Sequence, residues 1–212
     1  NGTAAQETAS PESGTALNAA RALAVAPPNA ASCYDRELFA WRGVDLDRNG
    51  CDSRNDVLRR DLVDLVVREG TQGCKVDAGT LAEPYTGTTI FFVVGGGPTN
   101  DGGVQIDHVA ALANAWASGA AGWDSATLQT FGNDPLNLLA VDGDANQSKG
   151  ASNAAEWLPP NTAFHCEYVA RQVAVKTAYS LSVTASEFDA MERVLAGCPD
   201  QPLPTAANTA TP

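Results

Sequence analysis

Five cysteines do most to limit what this chain can fold into. Cys33, Cys51, Cys74, Cys166 and Cys198 contain no C-x-x-C pair, so they lack the spacing of a zinc knuckle. Their wide separation suits disulfides, which persist in oxidising compartments. Cys51–Cys74 and Cys166–Cys198 are the expected pairs, because each brackets one predicted unit of structure. Cys33 is then left over. Spacing alone does not fix connectivity. A disulfide-stapled chain of this kind is expected to be secreted and extracellular.

At 212 residues, one domain with flexible ends is the default. Hydrophobic residues make up 44%, enough to build a core. Residues 1–30, rich in Ala, Ser, Thr, Gly and Pro, read as a disordered linker. Residues 31–198 read as the ordered domain and 199–212 as a flexible tail. No stretch is long and apolar enough to span a bilayer. Ala16 to Ala26 is mildly apolar, but Asn18 and Arg21 interrupt it and no basic leader precedes it. It makes a poor signal-peptide core, so the sequence reads as a processed form.

Periodicity assigns the elements. Asp56 to Glu69 carries Val57, Leu58, Leu62, Leu65 and Val66 at helical spacing, with Gly70 as a stop. Thr88 to Val94 is β-branched and aromatic and reads as a strand. Gly95 to Gly103 is a turn. Val104 to Val109 is a second strand, ending in Asp107 and His108. Ala110 to Ala120 reads as helix and Leu136 to Val141 as strand. Asp144 is placed to cap a short helix reaching about Ala155. Glu167 to Tyr179 and Ala185 to Ala196 read as closing helices. The fold class expected is α+β. Around Asp107 and His108 the order is strand, long insertion, strand, turn and helix, which is compatible with a ββα unit.

The formal net charge of −12 argues against a protein that coats nucleic acid, which needs many cations on the phosphates. A turnover enzyme needs only a local basic strip. Arg36, Arg42, Arg48, Arg54, Arg59, Arg60 and Arg68 crowd into one early segment, with acidic residues between them. There are only two histidines. H-E-x-x-H is absent, as are a G-x-S-x-G elbow and a phosphate loop of the Walker type. His165 has no partner motif and reads as structural. What remains is Asp107-His108, then N-D-P-L-N-L (Asn133 to Leu138), then Asn146-Gln-Ser-Lys149.

These strings carry a resemblance. I-D-H-V (Ile106 to Val109), A-W-x-S-G-A (Ala115 to Ala120), N-D-P-L-N-L-L-A-V (Asn133 to Val141), N-x-x-K-G (Asn146 to Gly150) and E-W-L-P-P (Glu156 to Pro160) follow one another in order. Upstream stand Y-D-R (Tyr34 to Arg36), D-x-D-x-N-G-C-D-S-R-N (Asp45 to Asn55) and E-P-Y-T-G (Glu83 to Gly87). Together they resemble the HNH endonuclease domain at the C-terminal end of modification-dependent restriction enzymes, in a stand-alone secreted form. The resemblance implies a ββα-metal centre wrapped by helices and metal-assisted hydrolysis of nucleic acid. DNA is expected over RNA as substrate, with no membrane partner and a monomeric state.

The residue chemistry agrees with that implication. Asp107 offers an anionic oxygen and Asn146 a neutral one to a hard divalent ion, Mg²⁺ or Mn²⁺. His108 has the native pKa range of a general base for water. By resemblance, Asn137 orients its other nitrogen through side chain or backbone carbonyl. Lys149, one helical turn after Asn146, and Arg54, with its planar fork, are candidate phosphate contacts. Neighbours on a strand point to opposite faces, so the strand end must bend if Asp107 and His108 serve one site.

A separate motif lies upstream. Asp45, Asp47, Asn49 and Asp56 occupy positions 1, 3, 5 and 12 of an EF-hand-like loop, a candidate Ca²⁺ site. A turn capped by its own Asp side chains and pinned by Cys51 is the alternative. Two rival functions therefore stand beside the nuclease: a catalytically silent nucleic-acid binder and a secreted calcium-binding structural module.

Overall fold

The computed structural model describes residues 14–29, 33–96 and 103–205. Along them run α1 (Ala16–Arg21), a 3₁₀ turn (Arg36–Phe39), α2 (Ser53–Asp61), β1 (Leu62–Val67), β2 (Val76–Ala82) and β3 (Thr89–Val93). There follow β4 (Val104–His108), α3 (Leu112–Ala117), α4 (Ser125–Asn133), β5 (Leu138–Asp142), α5 (Gly143–Lys149), α6 (His165–Ala178) and α7 (Ala185–Ala196). The class is mixed α+β, as composition and periodicity implied. Two antiparallel sheets form: β1-β2-β3, and the ribbon β4-β5.

The long helix expected over Asp56 to Glu69 is instead a helix and a strand. Asp52 caps α2 by accepting from Asn55 N–H, and Leu62 leaves it in extended conformation. The run Leu62 to Val67 is rich in valine, whose branched side chain fits a pleated surface better than a helix. A sheet partner decides the outcome: β2 pairs with β1 through Leu62–Leu81 and Val63–Thr80. Asp64, at φ 52°, sits where the β1 register shifts. Gly79 of β2 leaves room for Leu62, whose Cδ2 would lie 3.0 Å from any added Cβ.

Hydrophobic burial divides into three adjoining cores. One gathers α1, α6 and α7 around Tyr85, Val109 and Val141. A second joins Phe39, Trp116, Phe131 and Leu181. The third lies between α2, the three-stranded sheet and the ribbon, with Val57, Leu81, Phe92, Ile106 and Leu138. Helix α6 is buried from Tyr168 through Lys176, and Lys176 pairs with Glu187 of α7 inside the core.

Parts of the segments read as linker and tail carry structure among the described residues. Within the segment read as linker, α1 places Ala16, Leu17 and Ala20 in the first core, and Thr15 bridges to Pro202. Leu203, in the segment read as tail, packs against two of the cores. Small alanines lack the bulk that marks an amphipathic stripe in sequence, yet they permit close helix contact. Residues 1–13 and 206–212 lie outside the described residues.

Both expected disulfides are present, Cys51–Cys74 and Cys166–Cys198, and Cys33 is free and exposed. Cys51–Cys74 spans 23 residues and ties the start of α2 to the start of β2. The chain-entropy model assigns such a loop about 3 kcal/mol. A Cys51→Ser/Cys74→Ser variant is therefore expected to unfold at clearly lower urea concentration. An unchanged midpoint would show that this bridge does not limit the unfolded chain.

Candidate functional site

The ribbon β4-β5 and the helix after it assemble the candidate site. Asp107 pairs with Leu139 and His108 with Leu138 at the end of β4. Beyond them Val109 N–H donates to Asn137 O, and the Asn137 side chain clamps Ala110. Its Oδ1 accepts from Ala110 N–H at 2.8 Å, and its Nδ2 donates to Ala110 O at 3.1 Å. Asp142 then caps α5, accepting from Ala145 N–H, and α5 carries Asn146 and Lys149. Asp107, His108 and Asn146 line one pocket of about 270 Å³, facing Tyr34 and Arg36. The adjacent strand residues both line this pocket.

Asp107 is held from two sides. The Lys149 ammonium donates to Oδ1 at 3.0 Å, and the Tyr85 hydroxyl donates to Oδ2. Burial raises the carboxyl pKa above its ordinary value, while Lys149 and the Tyr85 hydroxyl pull it down. Burial and the neighbouring carboxylate push the Tyr85 phenol well up, so it stays a donor. Lys149 is itself buried and also donates to His108 O at 2.9 Å. The expected phosphate contact by Lys149 is thus corrected: its donors are turned inward, where they hold the strand end.

His108 Nε2 lies 2.8 Å from Gly132 O. A carbonyl only accepts, so Nε2 carries the proton and Nδ1 keeps its lone pair. The edge-on ring of Trp41 packs against the imidazole at 5.1 Å. Burial is the main cause that pushes the His108 pKa down to about 3; the Gly132 carbonyl opposes it, and Arg36 and Lys149 add to it. The imidazole is neutral throughout the physiological range. The partner expected for His108 was Asn137, and this too is corrected. Asn137 shapes the following loop, and Gly132 holds the ring.

Gly132 has no room to be anything else. A Cβ there would stand 2.4 Å from Phe39 O. Gly132→Ala is expected to shift the backbone of α4 or of the 3₁₀ turn and to cost about 1–3 kcal/mol, as overpacking does. Urea unfolding checks this, and a wild-type midpoint would mean that Phe39 yields freely.

Arg54 lies half-buried on α2 and does not line this pocket. A larger cavity of about 470 Å³, against Asp56, Arg59, Arg60 and Asn133, contains neither Asp107 nor His108. The Asp45 loop brings Asp45, Asp47 and Asp56 around the Asn49 amide. Asn49 N–H and Gly50 N–H donate to Asp45, and Asn49 Nδ2 donates to Asp47 and Asp56. These carboxylates serve as the caps of a turn. Among the described residues no three His, Cys, Asp or Glu gather as a metal cage. His165 Nε2 lies 2.8 Å from Pro159 O, a structural contact.

Asp107 and Asn146 are the oxygen-bearing side chains of this pocket that could hold a divalent ion. Asn146 Nδ2 donates to Gln105 Oε1 at 2.9 Å, and this bond does not use its amide oxygen. Each Asp107 oxygen accepts one hydrogen bond and retains lone-pair capacity. Mg²⁺ commonly takes one or two protein oxygens and completes its shell with water and phosphate.

Sequence reasoning missed Tyr85, Trp41 and Gly132 and gave Arg36 no role. Tyr85 and Arg36 sit in strings already singled out, E-P-Y-T-G and Y-D-R. Gly132 acts through its carbonyl, which leaves no side-chain signal.

Fold and pocket together define a disulfide-stapled α+β protein with a buried carboxylate and a neutral histidine at one strand end. The chain belongs to the family of GmrSD restriction endonucleases, C-terminal domain, whose model matches residues 52–194. It is also 36% identical over 191 residues to an uncharacterized secreted protein of Arthroderma benhamiae, covering 89% of this chain and 87% of that protein. No solved structure matches. The secreted relative and the two disulfides assign this chain to the secreted proteins. Among the described residues no helix is long and apolar enough to cross a membrane.

Proposed function

We propose that this chain is a metal-dependent endonuclease of the HNH type that hydrolyses DNA phosphodiester bonds in the His108 pocket. One observation carries the reading. The neutral His108 has one nitrogen fixed on Gly132 O, and it shares a pocket with Asp107 and Asn146 on a strand–strand–helix unit. Membership of a restriction endonuclease family supports DNA as substrate.

His108 Nδ1 takes a proton from a water, whose oxygen attacks phosphorus. The bond from phosphorus to the leaving sugar oxygen breaks, and that oxygen takes a proton from solvent. Asp107 and Asn146 would hold Mg²⁺ or Mn²⁺, which supplies charge stabilisation for the phosphate and the leaving oxygen. Tyr85 and Lys149 fix Asp107, and Asn137 holds the loop that ends the strand. The acidic surface, at a net −12, favours release of an anionic product.

A plasmid-nicking assay over a metal panel tests this. Cleavage is expected with Mg²⁺ or Mn²⁺, lost in EDTA and restored by excess metal. Failure to cut DNA with any metal would sink the reading. Cleavage that survives EDTA would remove the metal from it.

A further inference from the structure

Residues 34–41 lie outside the stretch matched by the family model, yet they build one wall of the pocket. Asp35 caps the 3₁₀ turn by accepting from Glu37 N–H at 3.0 Å. Phe39 is fully buried, its ring 6.2 Å from Trp116 and 5.9 Å from Phe131. Tyr34 sets its ring edge-on to Trp116 at 6.3 Å. Ala40, in the left-handed region at φ 47°, ends the turn and directs Trp41 onto His108. Its carbonyl accepts from Asn133 Nδ2. The turn is therefore anchored at its start to α3 and at its end to α4, whose Gly132 holds His108.

On this anchored turn Arg36 is exposed and lines the pocket together with Asp107, His108 and Asn146. We propose that Arg36 is a substrate-contacting catalytic residue. Its guanidinium binds the non-bridging oxygens of the phosphate that His108 attacks.

Among the described residues, Arg36 is the one Lys or Arg that lines this pocket. Lys149 is buried on Asp107 and the His108 carbonyl. Arg68 pairs with Asp77, and Arg21 with Glu192. Arg59 and Arg60 line the other cavity. Arg36 enters no ion pair among the described residues. Arg36 lines the same pocket as Asp107, His108 and Asn146. A planar fork of N–H donors matches phosphate oxygens, and in a chain of net −12 such a local cation is what draws a polyanion to this spot.

This assignment rests on the nuclease reading, and the test separates the two. Arg36→Ala and Arg36→Lys are compared with wild type in plasmid cleavage. Duplex-DNA binding is measured by fluorescence anisotropy over a salt series in the His108→Ala background, with and without Arg36→Ala. Arg36→Ala is expected to lower kcat/KM on the order of 10²-fold, the scale of losing one transition-state donor, with partial recovery in Arg36→Lys. The slope of log K against log salt is expected to fall by about 0.9, the loss of one phosphate contact. Melting temperature is expected to stay at wild type, since the side chain is exposed. Wild-type cleavage by Arg36→Ala, or an unchanged salt slope, would overturn the assignment. A wild-type protein that cuts nothing refutes the nuclease reading instead, and the salt slope still decides whether Arg36 holds a phosphate.

Discussion

His108→Ala is expected to lower DNA cleavage by about 10²–10⁴-fold, the range for removing a general base. Metal binding and duplex binding should change little, because Asp107, Asn146 and Arg36 remain. The pH profile makes the assignment sharper. With its pKa pushed down to about 3, His108 is already unprotonated at pH 5. The acid limb of log kcat/KM for the free enzyme is therefore expected well below pH 5, not near the ordinary histidine value of about 6.5. Stability carries the same signature. A histidine whose folded pKa is depressed contributes stability above its unfolded pKa of about 6.5, and loses it as pH falls toward 3. Asp107, raised by burial, acts in the opposite sense over the lower part of that window. Comparing wild type with His108→Asn isolates the histidine, and the variant should lose less stability between pH 7 and pH 4. A profile with an acid limb near pH 6.5 would mean that the working histidine is solvated in the active state. Near-wild-type cleavage by His108→Ala would remove it from the chemistry.

Part of the candidate pocket's lining could be read from sequence because its residues sit in short strings whose order survives folding. Asp107-His108 ends a strand, Asn146 follows on a helix, and the pocket joins them. What sequence did not show is how each group is held. Tyr85 comes from the β2–β3 turn and reaches Asp107 across 22 positions, and no periodicity reports such a contact. Gly132 serves through a backbone oxygen and through its lack of a Cβ. Lys149 has the spacing of a surface helix lysine beside Asn146, and only packing turns it inward.

The fold shows the same division. Helix α7 falls at the expected Ala185 to Ala196, because its apolar positions are bulky and its Thr184 cap is visible. Strand β2 escaped notice, since V-D-A-G-T-L-A carries Gly and Asp and becomes a strand by lying between β1 and β3. Helix α4 also escaped, although Asp124 before S-A-T is a cap signal that accepts from Thr127 N–H. In the strand now seen as β1, helical spacing and β-branching disagreed, and the sheet partner settled the matter.

Lys149→Met is expected to destabilise the protein by about 3–5 kcal/mol, the cost of stripping one partner from a buried ion pair. The Lys149 side chain has no exposure, so methionine can fill the space its methylenes occupy. What is lost is the ammonium between Asp107 Oδ1 and His108 O. Asp107 then keeps only the Tyr85 hydroxyl, and its carboxyl pKa, already raised by burial, rises further. The sign of the pH dependence follows. A carboxyl with a raised folded pKa favours folding when protonated and opposes it as pH rises through that pKa. The deficit of Lys149→Met should therefore be largest near pH 7 and shrink as pH falls toward 4. Adding Asp107→Asn should restore much of the lost stability by removing the stranded charge. For a domain stable by about 5–15 kcal/mol the single variant sits close to unfolding, so urea titrations are best run at several pH values. A deficit below about 1 kcal/mol, or one flat with pH, would show that Lys149 fills space without neutralising Asp107, and the inward ion pair would lose its part in holding the strand end.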